Sequence, residues 1–100
     1  MTRQVEQWLI TAPQETFEAI TAVTAERSRQ EEKGWTTTHD DERGVPHLLG
    51  EAYSRLAPAG INALNGHVDQ QQLIEIAALL IAAIESQERA SRSRQVGVES

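Results

Sequence analysis

The chain has 100 residues, of which 39% are hydrophobic and 4% aromatic, and it carries a formal net charge of −6. This length suits one domain with a modest aliphatic core, and we take residues 1–90 as an all-α domain and 91–100 as a frayed or disordered tail. The acidic balance argues against DNA, RNA or an anionic membrane surface as partner, since these require clustered Lys and Arg. The absence of cysteine removes disulfides and thiolate chemistry.

The first thirteen residues lack the apolar stretch and cleavage site of a signal peptide, so we expect a soluble, cytoplasmic protein. Val5, Trp8 and Leu9 predict a short amphipathic helix that lies across the bundle.

The first long helix is predicted from Thr11 to Lys33. Thr11 and Gln14 form a capping box, Pro13 suits the first turn, and Gly34 is a natural residue to follow the last turn. Its inner face is predicted to consist of four residues with helical spacing: Phe17, Ile20, Val23 and Thr24.

That face becomes polar three turns later, where Arg27, Ser28 and Glu31 take the same angles around the helix. Two interpretations are open. Either the helix ends in solvent with an Arg27–Glu31 pair at i,i+4 spacing, or its end lines a polar pocket.

The segment Gly34–Val45 is polar and aperiodic, and it predicts a loop long enough to be functional or disordered. Pro46 is expected to start a second helix, with Pro58 and Gly60 ending it. Its apolar face is opposed by a polar stripe of His47, Glu51 and Arg55 at i,i+4,i+8 spacing. Residues 61–68 read as a connector.

Asp69 should cap the central helix, with Gln72 as its capping-box partner, and the helix is expected to reach about Arg89. Within Leu73–Ile84 the large aliphatic side chains fill an arc of roughly 220°, far wider than the stripe of an ordinary surface helix. The segment is too short to cross a bilayer. We therefore predict a bundle of three main helices plus the short N-terminal one, completed by homodimerisation. Glu75 interrupts the apolar run: it either has a cation or water nearby, or lies on a small-residue stripe that faces solvent.

The densest polar cluster spans residues 27–41. Carboxylates and an imidazole can hold a divalent cation, and Lys with Arg can hold a phosphate. The adjacent carboxylates Asp40 and Asp41 are equally typical of a helix cap or an Asx-turn. The three histidines have no zinc-site spacing, and no glycine-rich phosphate loop is present.

The segment ERSRQEEKGWTTTHDD (Glu26–Asp41) resembles the opening signature of small phage and prophage proteins related to the MazG-like and MazZ-type nucleotide pyrophosphohydrolases. The segment LIEIAALLIAAIESQER (Leu73–Arg89) is similar to their last helix. The resemblance implies an all-α, oligomeric protein of the bacterial cytoplasm that hydrolyses a nucleoside triphosphate with Mg²⁺. The family's two metal-binding motifs would fall on residues 50–54 and 75–78, where Glu51 and Glu75 alone retain a carboxylate.

On this resemblance, the nucleotide-binding residues are predicted to be Arg27, Gln30, Lys33, Trp35 and His39. The predicted magnesium ligands are Asp40, Asp41, Glu51 and Glu75. The leading hypothesis is a MazG-like nucleotide-binding protein with weak or lost pyrophosphohydrolase activity. The alternative is a non-catalytic helical protein that binds a host or phage protein.

Overall fold

The computed structural model describes residues 13–33 and 37–99, with the side chains of residues 37–40 and 95–99 left undescribed. Within these ranges the fold is three α-helices: α1 (Gln14–Glu32), α2 (Thr37–Leu64) and α3 (Gln70–Glu99). The predicted all-α class is confirmed. The predicted N-terminal helix with Trp8 lies outside the described residues, as does the Thr11 end of the capping box.

Helix α1 begins at Gln14, with Pro13 as the residue that precedes its first turn. The Pro13 carbonyl accepts a hydrogen bond from the Thr16 N–H at 3.0 Å. At the other end, the Lys33 N–H donates to the carbonyls of Arg29 and Gln30, at 3.2 Å each. The predicted end of this helix is confirmed.

The predicted loop Gly34–Val45 is wrong from Thr37 onward, where α2 has already begun. Gly44 interrupts the helix with a φ of 83° and a ψ of 169°, which a residue with a Cβ rarely adopts. Pro46 then opens the longer part of α2, as expected for a proline in a first helical turn. Between Thr37 and Leu64, the break that the structure describes is the conformation of one residue, Gly44.

Helix α2 continues through Pro58 and Gly60, so the prediction that these residues end it is wrong. Proline removes one backbone hydrogen bond, which a long helix can tolerate at an exposed position. The real end is at Gly66, whose φ is 86°. The His67 N–H donates to the Asn62 carbonyl at 2.8 Å and the Gly66 N–H to that of Ala63 at 3.0 Å, which is a Schellman motif.

Helix α3 is capped by Asp69, as predicted: a carboxylate oxygen accepts from the N–H groups of Gln71 at 3.0 Å and Gln72 at 3.4 Å. The helix runs on to Glu99, beyond the predicted end near Arg89. Fraying of the last ten residues stays a prediction. In the part of the chain that the structure describes, no helix is both long and apolar enough to span a bilayer.

Helices α2 and α3 pack antiparallel and form the core. Asp41, early in α2, contacts Arg89, late in α3, and Arg55 contacts Glu75 near the start of α3. The buried cluster between the two helices consists largely of small side chains: Leu48, Ala52, Leu79, Ala82 and Ala83.

The inner face of α3 therefore holds its small residues together with two large aliphatic ones, Ile76 and Leu79. Ala78 and Ala82 are buried, whereas Leu73, Leu80, Ile81 and Ile84 are 40–64% exposed. Of the two alternatives left open for Glu75, a small-residue stripe that faces solvent is wrong, because Ala78 and Ala82 are buried. Alanines allow two helix backbones to approach closely, and that close packing leaves the larger side chains on the far side of α3 uncovered.

Helix α1 buries polar side chains against α3. Glu26 and Gln30 are 4% and 7% exposed, whereas Phe17 and Ile20, on the predicted inner face, are 39% and 46% exposed. The predicted face of α1 is therefore wrong at these positions, because the helix packs through the side that meets Gln71 and Glu75 on α3. The C-terminal half of α1 does line a polar pocket, but through Glu26, Arg29, Gln30 and Lys33 and not through the predicted face of Arg27, Ser28 and Glu31.

Candidate functional site

A polar pocket of about 330 Å³ lies where the C-terminal half of α1 meets α2 and the first turns of α3. Six of its seven lining residues are charged or polar: Glu26, Arg29, Gln30, Lys33, Arg55 and Glu75. Leu79 of the core closes its floor. A pocket of this size lies at the lower end of the range for small-molecule sites.

Glu26 anchors one wall of the pocket. Its buried carboxylate accepts hydrogen bonds from Arg29 Nε at 2.8 Å, Gln71 Nε2 at 3.3 Å and Gln30 Nε2 at 3.4 Å, and Arg29 Nη2 makes a fourth. The hydrogen bonds from Arg29 hold the pKa of Glu26 below its usual value, against the opposing effect of burial. The same contact raises the pKa of Arg29. Both groups are therefore charged at neutral pH.

Arg55 forms the opposite wall and joins two helices. Its Nη1 lies 3.4 Å from a carboxylate oxygen of Glu75, and its Nη2 lies 3.9 Å from one of Glu51. Arg29 approaches the other oxygen of Glu75 at 4.0 Å. Glu75, the one acidic residue in the apolar run of α3, is thus flanked by two guanidinium groups. Of the two alternatives for Glu75, the structure shows the one with cations nearby, and these cations are Arg29 and Arg55.

The pocket has a small excess of positive charge inside an acidic protein. Arg29, Lys33 and Arg55 oppose the carboxylates of Glu26 and Glu75, which leaves one net positive charge. The Arg29 and Arg55 side chains are 41% and 36% exposed, so both remain reachable from solvent. Guanidinium groups in this arrangement can bind the oxygens of a phosphate or carboxylate.

Of the predicted site residues, the structure brings Gln30, Lys33 and Glu75 together in this pocket, with Glu51 at its edge through Arg55. Arg27 lies elsewhere: its Nη2 is 3.2 Å from Glu85 on α3, and its Nη1 donates to Gln30 at 3.3 Å. The expected Arg27–Glu31 pair is therefore replaced by a contact between helices.

Asp41 lies at the far end of the bundle. Arg89 donates to both of its carboxylate oxygens, at 2.9–3.2 Å, and Ser86 Oγ donates to one at 2.9 Å. The Arg89 hydrogen bonds, with that from Ser86, lower the pKa of Asp41. Ser86 is eleven residues beyond Glu75 on α3, about 16 Å along the helix axis. Asp41 therefore lies away from the pocket, and its contacts with Ser86 and Arg89 join α2 to α3.

Trp35 is outside the described residues, and the side chains of His39 and Asp40 are likewise not described. Among the side chains that are, no three His, Asp or Glu groups come close enough to hold a metal ion together. Glu51 and Glu75 face a common cation, but that cation is the guanidinium of Arg55. Two carboxylates could complete a magnesium shell only if waters and substrate phosphates supplied the remaining oxygens.

Sequence reasoning missed Glu26, Arg29, Arg55 and Gln71 as members of the site. Two signals for them were present. Glu26 and Arg29 are three residues apart in the segment that carries the family resemblance, and Arg55 follows Glu51 at i,i+4 spacing in the polar stripe of α2. Neither signal indicates which helix the charged groups face.

Comparison of the chain with protein-family models, curated proteins and solved structures finds no match. We therefore infer function from the pocket and from the residues that line it.

Proposed function

We propose that this protein binds the phosphate groups of a nucleotide in the polar pocket between α1, α2 and α3. The observation that supports the proposal is the convergence of Arg29, Lys33 and Arg55 beside Glu75. Glu26, Arg29, Gln30 and Lys33 all come from the segment that resembles MazG-like proteins of phage and prophage, so the resemblance and the geometry point to one place. A cytoplasm containing nucleoside triphosphates would be the setting.

The chemistry of the pocket suits phosphate binding. Arg29 uses Nε and Nη2 for Glu26, which fixes the guanidinium plane, and its Nη1 takes no part in that contact. Lys33 follows the last residue of α1, one turn beyond Arg29, and is exposed at the rim of the pocket. A phosphate that contacts Arg29 and Arg55 would compete with Glu75, so binding involves an exchange of ion-pair partners. Charge-assisted contacts of this kind contribute about 1.5–3 kcal/mol each.

Catalysis by this pocket is expected to be weak or lost. The residues that fit magnesium are Glu51 and Glu75, with Asp40 as a third predicted oxygen ligand, and the ion would supply charge neutralisation at the phosphates. Arg55 already pairs with both Glu51 and Glu75 and competes with any cation for them. We therefore expect nucleotide binding to be easier to detect than turnover, and to depend only modestly on Mg²⁺.

Calorimetric titration with dATP, dGTP, ATP and GTP, with and without Mg²⁺, tests the proposal. Arg55→Gln and Lys33→Gln should each weaken the best-bound nucleotide by about tenfold or more, since each removes a charge-assisted contact. Arg94→Gln is the matched control: it removes one exposed positive charge from α3, away from the pocket, and should leave affinity unchanged.

Each variant is first checked for unchanged far-UV circular dichroism. The nucleotide proposal fails if the wild type binds none of the four nucleotides. It also fails if Arg55→Gln and Lys33→Gln both bind as well as Arg94→Gln does, because binding would then take place elsewhere.

A second candidate function, a non-catalytic helical interaction protein, is favoured by a different surface. The C-terminal half of α2 exposes an apolar face on the side away from the pocket. Its members are 53–90% exposed: Tyr53, Leu56, Ile61 and Leu64. Adjacent exposed apolar side chains of this size are typical of protein-binding surfaces.

The two candidates are separated by the variant Leu56→Ser/Ile61→Ser. If the protein acts through this face, the variant loses its host or phage protein partner and keeps nucleotide affinity. If the pocket carries the function, the variant behaves as wild type in the calorimetric titration and Arg55→Gln does not.

A further inference from the structure

A second cavity, of about 330 Å³, lies beside the polar pocket where α1 meets the first turns of α3. The residues that line this side cavity come from both helices: Ala22, Ala25, Glu26, Arg29, Gln71 and Ile74. Glu26 and Arg29 also line the polar pocket. The two cavities are therefore adjacent and share a wall.

The part of the side cavity that the polar pocket does not share is mainly apolar. Ala22, Ala25 and Ile74 contribute side chains without polar atoms, and each is at least partly open to solvent. Ala22 and Ala25 are three residues apart, so their methyl groups lie on the same face of α1. Because an alanine side chain ends at its methyl group, this face is shallow enough for a flat ring to pack against it.

Gln71 brings hydrogen-bonding groups to the edge of this apolar face. Its Nε2 donates to the Glu26 carboxylate at 3.3 Å, which uses one of the two amide hydrogens. The second amide hydrogen and the carbonyl oxygen take no part in that contact, and Gln71 is exposed. A primary amide presents a donor and an acceptor side by side, and this pattern pairs with the polar edge of a nucleobase.

Arg29 stands between the side cavity and the polar pocket. Its contact with Glu26 through Nε and Nη2 fixes the guanidinium plane. A guanidinium plane can stack on a nucleobase, and its N–H groups can bind phosphate oxygens. The Arg29 side chain is 41% exposed, so a ligand can extend across it from one cavity to the other.

We propose that the base of a bound nucleotide lies in the side cavity, against its apolar face and with the polar edge of the base at Gln71. The inference rests on the proposed phosphate site: with the phosphates in the polar pocket, the ribose lies at Arg29 and the base lies beyond it. Stacking is available to every base, since each has an aromatic face. The side cavity therefore selects nucleotides over inorganic polyphosphates, and Gln71 is the residue that contacts the base edge.

Calorimetric titration of the full-length protein with inorganic tripolyphosphate, beside dATP, dGTP, ATP and GTP, tests this inference. Tripolyphosphate has the phosphate chain of these nucleotides and lacks the nucleoside. The best-bound nucleotide should bind at least about fivefold more tightly than tripolyphosphate, which corresponds to the lower end of the contribution from stacking one base.

Two variants assign that difference to the side cavity. Ala25→Leu fills the cavity and Gln71→Leu removes the amide, so each should weaken the best-bound nucleotide by about fivefold and leave the affinity for tripolyphosphate unchanged. Ala19→Leu is the matched control for Ala25→Leu: it is the same substitution on the same helix, at an exposed position that lines neither cavity. Far-UV circular dichroism checks each variant, and Gln71→Leu still tests the inference if Ala25→Leu loses helicity.

Methyl chemical shifts locate the base independently of affinity. The ring current of a bound base should move the methyl signals of Ala25 and Ile74, whereas tripolyphosphate should leave them nearly unchanged. Equal shifts with both ligands would place the base outside the side cavity and overturn the inference.

The inference is also overturned if the best-bound nucleotide and tripolyphosphate bind equally well, or if Ala25→Leu and Gln71→Leu both bind the nucleotide as Ala19→Leu does. A Gln71→Leu variant that weakens both ligands equally acts through Glu26, which overturns the contact of Gln71 with the base. The phosphate site survives each of these results as long as Arg55→Gln weakens the binding of tripolyphosphate. If neither tripolyphosphate nor any of the nucleotides binds, the proposed function fails, and this inference fails with it.

Discussion

Leu79 and Leu80 are neighbours on α3 and offer a direct test of which side of that helix is internal. Leu79 is 1% exposed and belongs to the core cluster with α2, whereas Leu80 is 41% exposed. Leu79→Ala should lower the free energy of unfolding by about 2–5 kcal/mol, since it removes buried carbon atoms and leaves a cavity. Leu80→Ala should cost about 1 kcal/mol or less in the isolated chain, because solvent fills the space that it vacates.

Urea unfolding at low micromolar concentration, followed by circular dichroism, measures both changes. The difference should also appear on heating, where 1 kcal/mol corresponds to about 4–8 °C for a domain of this size. Equal costs for the two substitutions, or a larger cost for Leu80→Ala, would refute the assignment of the small-residue side as the core face.

Two further predictions concern the backbone and the pH dependence. Gly44→Ala should cost about 1–3 kcal/mol, because the φ of 83° strains any residue with a Cβ. Gly50→Ala, at a helical position with open space around the added Cβ, should stabilise the protein by about 0.5–1 kcal/mol. Chemical unfolding measures both variants. Changes of the same sign at Gly44 and Gly50 would contradict the backbone conformation at one of these two glycines. The folded-state pKa of Glu26 is lowered, so its contribution is complete above the ordinary carboxyl pKa of 4.5 and is lost as the pH falls toward the folded-state pKa. Glu26→Gln should therefore lose less stability than the wild type on acidification below 4.5, and an unchanged slope of unfolding free energy against pH would contradict the buried contact with Arg29.

Local signals in the sequence predicted the helix ends where a single residue determines the geometry. Asp69 caps α3 because its carboxylate reaches the next free N–H groups, and Pro46 starts the long part of α2 because proline suits a first turn. The prediction that Pro58 ends α2 is wrong. Whether a proline ends a helix depends on whether the packing of the following turns outweighs the hydrogen bond that the proline removes. The helix ends instead with a Schellman motif at Gly66, six residues after Gly60, and that end was not predicted from the sequence.

The faces of the helices were harder to predict than their ends. A helical wheel gives the angle between Phe17 and Glu26 on α1, but it does not say which of them meets α3. On α3 the large aliphatic side chains were expected inside, yet close approach of the backbones favoured Ala78 and Ala82. Apolar content on both sides of a helix leaves its inner face undetermined until its partner is known.

The site was predicted in part for the same reason. Gln30, Lys33 and Glu75 were named from the sequence and do line one pocket, because α1 and α3 pack at that level. Their immediate partner, Arg55, could not be assigned from its spacing to Glu51, since its contact with Glu75 depends on the register between α2 and α3. Asp41 was predicted to be a magnesium ligand because it has a carboxylate, but in the structure that carboxylate accepts hydrogen bonds from Arg89.

Amide chemical-shift mapping of the labelled full-length protein, with a nucleoside triphosphate in the presence of EDTA, shows directly where a nucleotide binds. We expect the largest changes around Glu26, Arg29, Lys33, Arg55 and Glu75, which belong to three segments that are distant in sequence and meet at the pocket. Addition of Mg²⁺ should alter the affinity modestly and leave this pattern in place. Changes confined to the exposed face of α2, or no saturable change at all, would contradict phosphate binding at this site.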